Sequence, residues 1–336
     1  MTGVTYIVTV YNKRPYLPHM LASLKNQAGD IPCQYVFVDD GSTDGSSDFI
    51  AEQTAGWGDV QIVRQANQGP AIALNTGIDA ARQPYILLVD GDDVLSPHAT
   101  RLLTDWADRL GCGVIHGDGT WCDDFQRLEF GAYPDDSQIN PRVINLRHTV
   151  KFSHCGSTGV LLRTDAVRRA GACDDRVFIQ EHSLFLRMAN TTQIVRINPL
   201  LSFAPRHVTG RIMDNTDAGN PTLPVQTLHD RMLALALFIG DNPGLAPVYR
   251  SIAFKNCATD FWKWLCRYDA QSPTLVPLGM LWAARLRYGL KNFDMPGLNE
   301  SGLIGRMAAT MRQLTPIRLT DRGREILSAP ALGTPA

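Results

Sequence analysis

The chain has 336 residues, 44% hydrophobic and 19% charged, enough to bury a sizeable core in one large domain plus a smaller one, or in two. A formal net charge of −1 offers no basic excess and argues against a nucleic-acid partner. Seven cysteines, an odd count with no C-x-x-C pair, argue against a zinc knuckle or disulfide scaffold and favour reduced thiols in a cytosolic compartment.

Val4-Thr5-Tyr6-Ile7-Val8-Thr9-Val10 is β-branched, apolar and unbroken, the pattern of a buried first strand. Leu17, Met20, Leu21 and Leu24 follow at i, i+3, i+4 and i+7, which predicts a helix packed on the sheet, with Pro15 near its start. Gln34–Val38 is a second strand, followed by an acidic turn and a helix that Thr43 or Asp44 can cap. Val60–Val63 is a third strand, Gly69–Ala81 an Ala-rich helix and Tyr85–Val89 a fourth strand. Ser96-Pro97 opens a helix whose buried stripe is Ala99, Leu102, Leu103, Trp106 and Leu110. Gly113–His116 is a further strand. Strands alternating with helices at this spacing predict an α/β fold with a doubly wound, mostly parallel sheet.

From Gly117 to about Val150 the pattern loosens into a loop-rich excursion. Thr158–Leu162 is a strand, Thr164 or Asp165 starts a short helix, and Gln193–Ile197 is the last predicted strand. Beyond about Pro221 helical patterns dominate, at 227–239, 246–268 and 275–291. The predicted division is therefore an α/β domain over residues 1–220 and a helical region over 221–336, frayed beyond Ser328. No basic n-region or cleavable apolar stretch opens the chain, so secretion is not expected. The longest apolar runs are too short to span a bilayer.

The chemistry concentrates at two strand ends. Asp90, Asp92 and Asp93 crowd one terminus within four positions, and their mutual repulsion is unfavourable unless a cation neutralises it. Carboxylate oxygens are hard ligands suited to Mg²⁺ or Mn²⁺. Asp39, Asp40 and Asp44 form a second acidic strand end upstream. Together they suggest a metal–diphosphate site at the carboxyl edge of the sheet. The plain structural alternative is an acidic turn that caps the helix starting at Ser96. A dehydrogenase would need G-x-G-x-x-G after the first strand, where this chain has Tyr11-Asn12-Lys13-Arg14-Pro15. The G-x-x-x-x-G-K-[ST] of a P-loop and the Gly-rich basic opening of a sugar nucleotidylyltransferase are also missing.

Four collinear segments resemble the family 2 glycosyltransferases, whose nucleotide-sugar-binding fold is called GT-A. They are Val8–Asn12, Val38–Asp44, Asn67-Gln68-Gly69 through Asn75-Thr76-Gly77, and Asp90-Gly91-Asp92-Asp93, which is similar to a D-x-D metal motif. The resemblance covers roughly Val4 to Arg211. It implies an inverting, metal-dependent transfer of a sugar, with UDP-sugar the expected donor, to a hydroxyl of a glycan or lipid-linked acceptor, as in bacterial surface polysaccharide synthesis. A nucleotide-sugar-binding or scaffold protein without turnover is the alternative. By similarity Asp92 is the direct Mn²⁺ or Mg²⁺ ligand, and Asp90 contacts ribose or supports the metal. Asp39 accepts from uracil N3–H, because a carboxylate offers acceptors only. Asp40 serves instead or orients the loop, Gly41 allows close backbone approach, and Gly91 is counted with the donor-binding residues. Thr9, Tyr11 and Asn12 end the first strand where the base is held. Gln68, Gly69 and Asn75 belong to the donor side.

The chain also departs from the family. A basic residue commonly precedes the Asn of the third segment and faces the diphosphate; here it is Leu74, so Arg64, Arg82, a later loop or the metal must supply the charge. For the general base, aligning Gln180-Glu181-His182-Ser183-Leu184-Phe185-Leu186-Arg187 on the family's pattern puts Glu181 on the catalytic Asp, with His182 second and a simple helix cap the alternative. Ser183 and Arg187 are expected to have helix-surface or structural roles. Ser153–Gly159 resembles the acceptor-side strand. Arg206, His207 and Arg211 can clamp phosphate, or be a solvated basic loop. Trp262, Trp264, Tyr268, Trp282 and Tyr288 mix with basic residues; packing against the core or another subunit, as in a homo-oligomer, is preferred to peripheral contact with the inner face of a membrane.

Overall fold

Strand β1 (Val4–Val10) is the hub of the sheet. β2 (Cys33–Asp39) and β4 (Tyr85–Asp90) flank it in parallel, and β3 (Asp59–Arg64) extends the sheet beyond β2. The full order is β3-β2-β1-β4-β8-β6-β9-β5, with β7 paired to β9. β8 (Val160–Arg163) runs antiparallel to its neighbours β4 and β6 (Val114–Cys122). The short β5 (Val94–Leu95) and β7 (Arg142–Ile144) pair antiparallel with β9 (Ile194–Pro205), whereas β6 and β9 run parallel. The structure, a computed structural model, describes residues 3–152, 156–206, 225–271 and 300–328.

Side-chain alternation in β1 and β4 builds a core on each face of the sheet. Tyr6, Val8, Val10, Leu87 and Val89 point to one face, against α1 (Leu17–Lys25) and α4 (Ala99–Leu110). Ile7, Ile86 and Leu88 point to the other, against α3 (Pro70–Ala80), α6 (Thr164–Arg169) and α7 (Gln180–Thr191). Burial on both faces explains why these strands read as continuous apolar runs. Each fully buried Val, Leu or Ile contributes roughly 1.5–3 kcal/mol.

α2 (Ser46–Gln53) starts after Gly45, which has φ +80°. Asp44 sits just ahead and accepts from Ser46 N at 3.0 Å, Ser46 Oγ at 2.6 Å and Arg14 N at 3.0 Å. Burial pushes its carboxyl up, but these hydrogen bonds outweigh that and leave it below its ordinary pKa. The expectation that Asp44 serves the helix start agrees with this geometry.

Two compact units divide the chain: Met1–Asn145 with Ser153–Thr209 and Leu319–Ala336, and Leu146–Phe152 with Gly210–Arg318. The last described helix, whose range is Asp321–Ser328, falls in the first unit. In the second unit α5 (Leu146–Lys151), α8 (Val225–Asp241), α9 (Pro247–Gln271) and α10 (Glu300–Leu314) are the described helices. Buried His229 lies between Asp230 Oδ1, 2.7 Å from Nδ1, and Arg312 Nη1, 2.9 Å from Nε2. A guanidinium can only donate, so Nε2 accepts and Nδ1–H donates to Asp230. Trp264 is buried against Phe261 while Trp262 is exposed; the 275–291 helix, Trp282 and Tyr288 lie outside the described residues. No described helix is long and apolar enough to cross a membrane.

Candidate active site

The order 3-2-1-4 puts a topological switch point at β1, where open α/β sheets bind ligands beyond the strands' carboxyl ends. Both acidic turns leave the sheet there. Asp39 is opposite Val10 and Asp90 is opposite Thr9, so the two aspartates flank β1 on either side. With strands about 4.8 Å apart, their Cα atoms are about 10 Å apart. The turns are tied back to β1: Asp40 N donates to Val10 O at 2.8 Å, and Gly91 N to Thr9 O at 3.0 Å. A Cβ on Gly91 would lie 3.1 Å from that same carbonyl, so a side chain there would press on the join.

On the β2 side, Asp39 is buried and accepts from Ser42 N at 2.8 Å. Asn12, in a left-handed conformation at φ 53°, bridges to the acidic turn. Its Oδ1 accepts from Thr43 N at 2.8 Å, and its own N donates to Ser42 Oγ at 2.9 Å. Tyr11 is 42% exposed, so its ring is not consumed by the core. Asp40 is tied to the loop after β3: its carboxylate accepts from Gln65 Nε2 at 2.8 Å and from the backbone N–H of Gln68 and Gly69, each at 2.9 Å. Burial nevertheless lifts its pKa above the ordinary value, since it outweighs those hydrogen bonds. Gly41 is required by this packing, with φ +82° and an added Cβ 2.9 Å from Asn67 N.

The loop ordered by Asp40 also sets the far wall. A Cβ on Gly69 would lie 2.5 Å from the Phe178 ring, and Ala71 N donates to Phe178 O at 3.2 Å. Asn75 clasps the Cys173 backbone: its Oδ1 accepts from Cys173 N at 2.9 Å and its Nδ2 donates to Cys173 O at 3.0 Å. Leu74 is buried core. The clasped segment is braced by Asp174, which binds Arg176 through two contacts at 2.8 and 2.7 Å and Arg187 at 2.9 Å. Burial pushes the Asp174 carboxyl up, but the Arg176 hydrogen bonds and the Arg187 charge win and hold it below its ordinary pKa. Arg187 and Ser183, whose Oγ accepts from Asp174 N at 3.2 Å, are structural, as expected. Glu181 then falls in the first turn of α7, partly exposed, where the helix dipole favours a negative charge. His182 is buried on the same turn.

On the β4 side Thr158 Oγ1 accepts from Asp90 N at 2.9 Å, and Ser157 Oγ donates to Asp90 Oδ2. Asp92 and Asp93 are buried. Asp92 Oδ2 meets Lys13 Nζ at 2.8 Å, with the two side chains only 7% and 16% exposed. The sequence does not announce this pairing; its one signal is a basic residue directly after Asn12. Of the two arginines considered as substitutes for the missing charge, Arg82 pairs with Asp59 at the amino end of β3, the opposite edge, whereas Arg64 ends β3 at the carboxyl edge, in register with Asp39, and pairs with exposed Asp48 at 2.5 Å. Arg206 follows β9, donates its backbone N–H to Cys122 O at 2.8 Å and pairs through Nε with Asp123 at 2.7 Å. It is thereby an ion-pair partner of Asp123. His207, Arg211, His154 and Cys155 lie outside the described residues.

Among the described residues no three His, Cys, Asp or Glu side chains converge as a ready-made cage for a metal. The donor chemistry still fits Mg²⁺ or Mn²⁺, which commonly take one or two carboxylates and complete their shell with substrate phosphates and water. Asp92 and Asp90 are the residues that would hold it.

Residues 5–171 match the family described as Glycosyl transferase family 2. "Uncharacterized glycosyltransferase EpsJ" of Bacillus subtilis is 36% identical over 116 residues, 33% of this chain and 33% of that protein. The match therefore spans about a third of the length of such curated relatives. S. aureus TarS 1-349 in complex with UDP-GlcNAc superposes with a TM-score of 0.61 at 15% identity, covering 93% of this chain and 92% of that one. The mannosyltransferase PcManGT from Pyrobaculum calidifontis, in complex with GDP-Man and Mn²⁺, gives 0.51 at 16% identity over 92% of this chain and 86% of that one. These likenesses establish the GT-A fold, and with the family match the chain belongs to the family 2 glycosyltransferases.

Proposed function

We propose that this chain is an inverting, metal-dependent glycosyltransferase that moves a sugar from a UDP-sugar to a hydroxyl of a glycan or lipid-linked acceptor. The observation that carries the reading is the pair of acidic turns tied to either side of β1 at the switch point. About 10 Å between Asp39 and Asp90 suits a ligand with a base at one end and a diphosphate at the other. TarS and PcManGT, which share the fold, were each obtained with a nucleotide-sugar, and PcManGT with Mn²⁺ as well.

In this reading Asp39 accepts from uracil N3–H, Tyr11 stacks on the base, and Asn12 with Gly41 holds the turn that shapes the base pocket. Asp90 serves the ribose and Asp92 the metal. A divalent ion there supplies charge stabilisation for a departing diphosphate. Glu181 takes the proton of the acceptor hydroxyl as its oxygen attacks the anomeric carbon. Asp40, Gln68, Gly69 and Asn75 act one step back, by fixing the wall from which Glu181 projects.

A panel of nucleotide-sugars with and without Mn²⁺ or Mg²⁺, scored for released nucleotide, tests this. Metal-dependent release from a UDP-sugar is expected, and the responding donor names the sugar. UDP binding with no release from any donor and any acceptor would make the chain a binding module instead. Glu181→Gln is expected to keep donor binding and lose transfer by ~10²-fold or more. Full activity in that variant would move the base, with His182 the first alternative.

A further inference from the structure

The Lys13–Asp92 pair sits where the proposed site needs its metal. We propose that Lys13 is an internal counter-ion which occupies the metal-ligand oxygen of Asp92 in the nucleotide-free protein, keeps metal affinity low, and couples metal uptake to arrival of the nucleotide's diphosphate. The inference rests on the reading of Asp92 as a metal ligand.

Three observations support it. Asp92 Oδ2 accepts from Lys13 Nζ at 2.8 Å, so the oxygen a cation would use is already paired with a positive charge. The two side chains are nearly buried, in surroundings where charges are poorly screened and an unpaired carboxylate is costly. Lys13 is also fixed at its backbone, where its N–H donates to Ser46 Oγ at 3.0 Å. That anchor leaves the flexible four-carbon stem to swing while the Cα stays in place, and an ammonium is a compact point charge with three donors.

A divalent cation brought to Asp92 alone must displace the ammonium and then sit beside it, like charge against like. A cation arriving with a diphosphate brings phosphate oxygens that accept from the displaced Lys13. The ammonium then faces the leaving group, the position for which Leu74 supplies no charge. Metal and nucleotide should consequently bind with positive coupling, and the coupling must be reciprocal.

The test uses the full chain and no turnover: Mn²⁺ titrations read by the electron paramagnetic resonance of free Mn²⁺, without and with saturating UDP. Wild type should bind Mn²⁺ weakly alone and at least about tenfold more tightly with UDP. Lys13→Met should bind Mn²⁺ alone about tenfold or more tightly than wild type, with the enhancement by UDP largely lost. Lys13→Arg, which keeps the charge, should retain weak Mn²⁺ binding without UDP; a gain of Mn²⁺ affinity confined to Lys13→Met is what a merely structural role for Lys13 would not predict. If Lys13→Met leaves Mn²⁺ affinity without UDP unchanged or weaker, while Asp92→Asn abolishes Mn²⁺ binding with UDP, the counter-ion role is wrong and the metal site stands. If Asp92→Asn leaves Mn²⁺ binding with UDP intact, both fall.

Discussion

Asp174 shows how much one side chain can decide without touching a reacting atom. It gathers Arg176 and Arg187 under the loop that leads into α7, so Glu181 depends on it for position. Removing one partner of a fully buried ion pair costs about 3–5 kcal/mol; the arginines are partly exposed, so Asp174→Ala should cost about 2–3 kcal/mol, read as a lower denaturation midpoint. Because its folded pKa lies below the ordinary 3.8, the stability it contributes is complete above that value and lost as pH falls through the folded pKa. The denaturation midpoint of wild type should therefore fall between pH 4 and pH 2 more steeply than that of the Asp174→Ala variant; parallel falls would remove Asp174 from the account. Gly69→Ala tests the same wall from the other side. At φ +95°, with its Cβ directed into the Phe178 ring, it should cost about 2–3 kcal/mol.

At the scale of elements, the Asp40 loop links β2 to α3 and, through Phe178, to α7. Asp40→Asn presents an NH₂ toward the N–H of either Gly69 or Gln68, donor against donor, and should cost about 1–3 kcal/mol and weaken UDP binding. Unchanged UDP affinity in a folded variant would detach this loop from the donor site. The strands that build this edge were legible because β1, β2 and β4 are buried on both faces and read as unbroken apolar runs. β6 and β9 were read short. Their continuations pass through Gly117-Asp118-Gly119 and Asn198-Pro199, residues of poor strand propensity, and persist because the two strands pair with each other across register shifts. β5 has two residues and β7 three, too few for any period to show. α10 carries Ile304, Met307, Ala308 and Met311 at helical spacing, a legible stripe that Gly302 and Gly305 interrupt.

For the molecule as a whole, local motifs announced the site and long-range contacts assembled it. The acidic turns were visible because charge repulsion makes such clusters conspicuous in sequence. The contacts around them join residues far apart along the chain: Lys13 with Asp92, Asn75 with Cys173, Asp90 with Ser157. No spacing rule predicts those pairings, which is why the Lys13–Asp92 and Asn75–Cys173 contacts were not legible in the sequence. Crystals soaked with UDP and manganese offer the most direct measurement, through the anomalous signal of the metal. The account predicts a peak within coordination distance of the Asp92 carboxylate, bridged to the diphosphate, with the base beside Asp39. Nucleotide and metal bound at another edge of the sheet, with the turn after Val89 unchanged, would contradict it.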